Sequence, residues 1–237
     1  MFPVIAPGRF WLRPREQWCS TLRLMIIHFQ SRAMSTLNEA TNLRELKSIF
    51  RENVKRVLQD VSQAEIEKQS VIVLEKLCQV LSHPEYQRAS RISVYISMPG
   101  EISTDELIRN ILETGKKCYV PRFRNKDKRM DMVQVTSWED FSSLPVVKWN
   151  IRQPSFDDER ENALDSGGLD LVMCPGLAFS PNGRRIGRGM GFYDNFLKRC
   201  SDINDEFYSF GLALREQVVP NVPTGPNDCN VHEVITA

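Results

Sequence analysis

A single three-layer α/β domain, an open and mostly parallel sheet with helices on both faces, is the fold this sequence predicts. Three observations carry that prediction. Apolar stripes at spacings of three and four alternate along the chain with short runs of β-branched residues. One such run, Leu169–Cys174, is apolar almost throughout and is bracketed by Gly167-Gly168 and Pro175-Gly176, as a strand buried on both faces requires. A glycine- and arginine-rich loop, Asn182–Gly191, runs directly into a helical pattern, the arrangement of ligand loops at strand carboxyl ends.

The elements follow in order. Leu43, Leu46, Phe50, Val54 and Val57 form one helical stripe, and Arg44, Lys47, Arg51 and Lys55 a basic stripe beside it. Ser62-x-x-Glu65 is a capping box opening a second helix, with Ile66, Val73, Leu77, Val80 and Leu81 on its buried side and His83-Pro84 at its end. Ile92–Ser97 predicts a buried strand. Ser103-x-x-Glu106 predicts another capped helix, carrying Leu107, Ile108, Ile111 and Leu112 and stopping at Gly115. Cys118–Arg122 and Met132–Thr136 predict strands, and Ser137–Ser166 a loop with little regular structure, which Trp138 and Trp149 pack onto the sheet. Phe192–Cys200 predicts a helix and Phe207–Leu214 a strand. With no internal repeat, residues 37–237 are expected to form one domain.

Composition narrows the function. With 41% hydrophobic and 26% charged residues, the chain is an ordinary globular mixture, which excludes disorder as its main state. The longest apolar run, Leu22–Phe29, is broken by Arg23 and is too short to span a bilayer. A net charge of +1 provides no field to attract nucleic acid. That total conceals an asymmetry: residues 1–36 hold five arginines against one acid, Glu16. Such a leader is a candidate transit peptide, implying a mitochondrial location. It is equally a disordered tail or an upstream start, with a cytoplasmic form beginning at Met34. Six cysteines without a CxxC pair and three histidines leave little room for structural zinc, disulfides or His-based catalysis.

The chemistry concentrates in Gly183–Asp194. Alternating Gly187, Gly189 and Gly191 let backbone amides approach a ligand, and Arg184, Arg185 and Arg188 supply planar donors suited to phosphate. The loop leads into a helix N-terminus, so a phosphate cradle is favoured over a solvated surface turn. It is neither a Walker A loop nor a dinucleotide fingerprint. Asp194 is either a magnesium-holding carboxylate or a helix-start acid. Asp228, taken alone, is a turn aspartate. Lys47 and Arg51 read first as a solvated stripe. Glu101, beyond Met98-Pro99-Gly100, is either a ligand-facing group or an exposed loop acid.

Several motifs in register then carry a resemblance. RIGRGMGFYDNFLKR (Arg185–Arg199), GGLDLVMCPGLAF (Gly167–Phe179), ISVYISMPGEISTDELI (Ile92–Ile108), LKSIFR (Leu46–Arg51) and WNIRQP (Trp149–Pro154) resemble the 5-formyltetrahydrofolate cyclo-ligases, also called 5,10-methenyltetrahydrofolate synthetases, over about residues 42–235. The resemblance implies a Rossmann-like monomer that uses ATP and magnesium to cyclise 5-formyltetrahydrofolate to 5,10-methenyltetrahydrofolate, ADP and phosphate. The formyl oxygen would be phosphorylated before nitrogen 10 closes the ring. It implies that Lys47, Arg51 and the run Arg185, Ile186, Gly187, Arg188, Gly189, Met190, Gly191, Phe192 and Tyr193 bind ATP. It places Ile96, Glu101 and Arg188 through Phe192 against the folate, makes Arg188 and Tyr193 catalytic, and gives magnesium to Asp194 and Asp228.

The sequence departs from the family pattern at three places. Met190 stands where Lys or Gly is frequent, Phe192 where Tyr is usual, and His232 where an acid is expected. The first two bear on rate and affinity rather than on the reaction. Three other readings remain. One is a non-catalytic folate or nucleotide binder on the same scaffold. Another is an RNA-associated relative, for which the chain lacks a recognition motif. The third is an enzyme like the sugar-phosphate isomerases and CoA-transferases, supported by architecture alone.

Overall fold

The computed structural model describes residues 43–80, 83–124, 129–147 and 151–237, with the side chains of 77–80 excepted. The arginine-rich extension, the burial expected of Leu77, Val80 and Leu81, and Trp149 lie outside the described residues.

Helix α1 (Leu43–Gln59) and helix α2 (Gln63–Val80) open the domain. Half of the predicted box at Ser62 is seen, its hydroxyl accepting from Glu65 N–H at 3.3 Å, while the Glu65 carboxylate accepts instead from Gln69 Nε2 at 3.3 Å. His83-Pro84 then starts a further short helix, α3 (Pro84–Arg88), with His83 Nδ1 accepting from Glu85 N–H at 3.2 Å. The chain continues through β1 (Arg91–Ser93), α4 (Asp105–Glu113), β2 (Lys117–Arg124), β3 (Arg129–Val135), α5 (Trp138–Ser142), β4 (Val146–Val147) and β5 (Ile151–Arg152). Next come β6 (Leu171–Cys174), β7 (Ala178–Phe179), β8 (Arg185–Ile186), α6 (Phe192–Ile203), β9 (Tyr208–Ala213) and β10 (Glu233–Thr236).

Six strands form the central sheet in the order β10-β9-β6-β1-β2-β3, every neighbouring pair parallel except the β2–β3 hairpin. Successive residues of a strand point to opposite faces, so the unbroken burial of Leu171–Cys174 and Ser209–Ala213 means that both faces are covered. Leu107, Ile108 and Ile111 of α4 and Phe196, Leu197 and Cys200 of α6 supply part of that cover.

Four expectations need correction. The strand read at Ile92–Ser97 ends at Ser93, because Tyr95 C=O is taken by the Thr104 hydroxyl at 2.7 Å and the chain leaves the ladder. For the same reason no box forms at Ser103: α4 begins after Thr104, which makes no side-chain cap, and Ser103 N–H donates to Ser70 Oγ. The supposed loop Ser137–Ser166 contains α5, capped by Ser137 Oγ, and the small β4–β5 hairpin. Trp138 does pack against the core, with the Arg109 guanidinium 4.1 Å above its ring. Finally, the glycine-rich loop starts later than expected, since Arg185-Ile186 pairs with Ala178-Phe179 as a hairpin.

That hairpin is held in place by close approach. A Cβ on Gly211 would lie 2.5 Å from the Phe179 ring, and one on Gly176 would lie 2.6 Å from it, so the ring fits only over bare backbone. A separate apolar cluster joins Phe50 and Val54 of α1 to Leu177, Ala178, Ile186, Val219 and Val222. It seats α1 against the hairpin.

At the amino ends of β1 and β2, Glu161 gathers Tyr119 Oη at 2.7 Å, Lys117 Nζ at 2.9 Å, Arg91 Nη1 at 3.0 Å and Ser166 Oγ at 2.9 Å. Hydrogen bonds from Tyr119 and then Lys117 hold its carboxyl down to about 2. The folded-state value lies below that of the unfolded chain, so this contribution is complete above the ordinary carboxylate range and lost as pH falls toward 2. Glu161→Gln is expected to lower the Tm at pH 7 by a few degrees, with the gap to wild type closing between about pH 5 and pH 2. Thermal melts across that window test it, and a constant gap would remove the charge from the account.

Candidate functional site

The site forms at the carboxyl ends of the parallel strands, where the segments after β1 and β6 meet α1 and a late loop. Its centre is Gly187–Gly191. Gly189 and Gly191 have φ of +107° and +73°, a region that disfavours any side chain with a Cβ. Gly191 is also the residue preceding α6 and provides no side-chain cap, so the first N–H groups of that helix face the loop.

Charged side chains converge here from four parts of the sequence. Arg51 of α1 donates Nε–H to the Gly187 carbonyl at 2.8 Å, and a Cβ on Gly189 would lie 3.5 Å from its guanidinium carbon. Lys47, one turn earlier, forms an ion pair with Asp228, whose Oδ2 also accepts from Gly225 N–H. Burial works against the Asp228 carboxylate, yet Lys47 and that N–H hold it below the ordinary range. Arg185, only 3% exposed, donates Nη2–H to Asp194 Oδ1 at 2.8 Å. Cys229 N–H donates to the same oxygen at 3.1 Å. Arg188 donates to Glu101 Oε1 at 2.9 Å, while Met98 N–H donates to Oε2 at 3.1 Å. Burial raises the Glu101 pKa, with Arg188 opposing it.

At this site the buried Arg185 Nε and Tyr193 hydroxyl have no hydrogen-bond partner among the described residues, and the Arg185 guanidinium lies 5.8 Å from the Tyr193 ring centre. Burial pushes the Tyr193 hydroxyl well above its usual range, so it stays protonated and is a donor rather than a base.

The structure therefore brings Lys47, Arg51, Arg185, Arg188, Asp194, Asp228 and Glu101 to one loop, and it changes the expected arrangement in two respects. The cations are not simply a solvated set: Lys47 and Arg185 are largely buried against carboxylates, Arg188 is exposed but paired with Glu101, and Arg184 is exposed beside the hairpin. The Ile186 side chain turns away into the cluster beneath α1, leaving only its backbone toward the loop. Ile96 is buried in the main core and Met190 is 52% exposed at the loop tip. Phe192 meets Phe123 edge-on at 5.1 Å, an aromatic neighbour with no sequence signal. Cys229 was equally unmarked, although its position beside Asp228 is the clue. His232 plays another part: its Nδ1 lies 2.7 Å from Ser209 Oγ and accepts from Ser209 N–H at 3.0 Å, and burial lowers its pKa.

Among the described residues no group of three or more His, Cys, Asp or Glu could enclose a metal, and no helix is long and apolar enough to cross a membrane. Asp194 Oδ2 and Asp228 Oδ1 have no hydrogen-bond partner among the described residues. Hard oxygens of this kind suit a cation that takes one or two carboxylates and completes its shell elsewhere.

Fold and site together define an α/β protein with a glycine- and arginine-rich loop at a helix N-terminus, beside two carboxylates. The 5-formyltetrahydrofolate cyclo-ligase family model matches residues 43–237, and the chain belongs to that family. It is 40% identical over 197 residues to the mouse 5-formyltetrahydrofolate cyclo-ligase, covering 83% of this chain and 96% of the mouse protein. It is 31% identical over 230 residues to the mitochondrial 5-formyltetrahydrofolate cyclo-ligase of Arabidopsis thaliana, covering 86% and 80%. The solution structure of the Aquifex aeolicus 5,10-methenyltetrahydrofolate synthetase superposes with a TM-score of 0.64 at 27% identity, over 80% of this chain and 89% of that one.

If the Arg188 pair offsets the burial of Glu101, Arg188→Ala raises the Glu101 pKa further. Carbon-13 NMR of labelled glutamate carboxyls reads this directly. An unchanged Glu101 titration would mean that the pair does not hold the charge.

Proposed function

We propose that this enzyme cyclises 5-formyltetrahydrofolate to 5,10-methenyltetrahydrofolate at the expense of ATP, with magnesium. The observation that carries the reading is the Gly187–Gly191 loop, where Lys47, Arg51, Arg185 and Arg188 converge on an uncapped helix N-terminus. Family membership supports the folate substrate.

A formamide oxygen is a poor leaving group, so ring closure needs it activated. The bond from the γ-phosphorus to ADP breaks as one forms to the formyl oxygen. Nitrogen 10 then attacks the formyl carbon and loses its proton, and phosphate departs with the carbon–oxygen bond. Such a sequence asks the protein for position and charge rather than for a nucleophile. Lys47, Arg51 and Arg185 would hold phosphate oxygens, and the α6 N–H groups would face the transferred group. Arg188 stands between the phosphate loop and Glu101, whose carboxylate would accept from N–H donors of the pteridine ring. Tyr193 would donate its hydroxyl hydrogen. Asp194 and Asp228 would hold magnesium, which when bound offsets charge on the phosphate oxygens. The mitochondrial name of the plant relative supports reading the arginine-rich extension as an organellar address.

The full-length chain, given 5-formyltetrahydrofolate and ATP, is expected to form the methenyl product, followed by its near-ultraviolet band, and phosphate in equal amounts. Both should require magnesium. Asp194→Ala and Asp228→Ala are each expected to reduce magnesium-dependent turnover by about tenfold or more. Folate binding without product or phosphate would leave a binding protein, and unaltered magnesium titrations in both variants would remove the metal assignment.

A further inference from the structure

Two carboxylates that share a cation need their separation set by the protein around them. Asp194 stands in the first turn of α6, whereas Asp228 closes a turn with Gly225 in the segment before β10, and nothing in their local sequence relates them. That segment is anchored at three points. Gly225 lies so close to α1 that a Cβ there would meet Leu43 Cδ2 at 2.5 Å. Val231 N–H donates to the Gly183 carbonyl at 2.9 Å, and Gly183 leaves no room for a side chain against Val231 C=O. Between these ends, Cys229 makes the contacts to α6. Its N–H donates to Asp194 Oδ1 at 3.1 Å and its Sγ–H to the Asp194 carbonyl at 3.4 Å.

We propose that Cys229 is a positioning residue for the metal site, its thiol fastening the segment that carries Asp228 to the helical turn that carries Asp194. The proposal rests on the reading of both aspartates as magnesium ligands. Without the thiol donor the backbone N–H bond remains, but the segment loses one of its two ties to α6. The metal pays for this in affinity, because its two ligands must be drawn together as it binds. Nucleotide phosphates, held by α1, the hairpin and the loop, do not depend on that tie. A serine retains the donor, so it preserves the arrangement.

The test uses the full-length chain with manganese as a paramagnetic probe and a non-hydrolysable ATP analogue. Free manganese is read by electron paramagnetic resonance. Cys229→Ala and the more isosteric Cys229→Val should each weaken manganese binding by about threefold to tenfold, while Cys229→Ser stays near wild type. Affinity for the analogue in chelator should be the same in all four proteins. The apparent KM for magnesium should rise in the alanine and valine variants by a similar factor. Manganese affinities equal to wild type in those variants would overturn the positioning role, as would a parallel loss of metal-free analogue binding, which marks a general structural defect. Wild-type manganese binding in Asp194→Asn and Asp228→Asn would instead overturn the metal reading itself, and this proposal with it.

Discussion

Phe50 and Val54 of α1 hold the first helix against Leu177, Ala178 and Ile186, and the geometry of the site depends on that contact. Burying two such side chains contributes about 1.5–3 kcal/mol each, enough to fix one helix on a hairpin. Once seated, the helix has no choice about its other face. Lys47 and Arg51 lie one turn apart, so they arrive together at the loop, one meeting Asp228 and the other the Gly187 carbonyl. The hairpin itself is located by the Phe179 ring lying over Gly176 and Gly211, which couples the glycine-rich loop to strand β9.

This arrangement explains how so many like charges coexist in a partly buried pocket. Each of Lys47, Arg185 and Arg188 faces a carboxylate, and Asp194, Asp228 and Glu101 each have a fixed cation in turn. Burying either sign alone would be costly, whereas alternating them in space keeps the pocket close to neutral. The two ends of the sheet also differ in purpose. At the amino ends Glu161 satisfies Arg91, Lys117 and Tyr119 in a closed network, while at the carboxyl ends Arg185 Nε and the Tyr193 hydroxyl remain unpartnered among the described residues.

Much of the fold was legible because it rests on local periodicity. The α1 stripe, the Ser62 cap, the Leu169–Cys174 strand core and the α6 pattern all follow from spacings within a few residues. The misreadings fall where a distant partner overrides the local signal. Ser103 presents a good capping spacing, but the Tyr95 carbonyl captures Thr104 and moves the helix start. The short α5 was hidden inside a polar stretch even though Ser137 and Asp140 carry its cap. At the site, alternating glycines announced the loop, yet nothing announced Phe123, and Cys229 was marked only by its place beside Asp228.

Fold class, the position of the glycine- and arginine-rich loop and, through motifs in register, the family all follow from the sequence. Each of these is written in residues that lie near one another along the chain. Which charges meet is settled by packing. Lys47 and Asp228 are separated by 181 positions, and Arg188 and Glu101 by 87. Whether such groups pair is set by how a helix, a hairpin and the late loop are stacked around one sheet. The inward turn of Ile186 is settled the same way, because in a strand the face a residue takes depends on what covers that face.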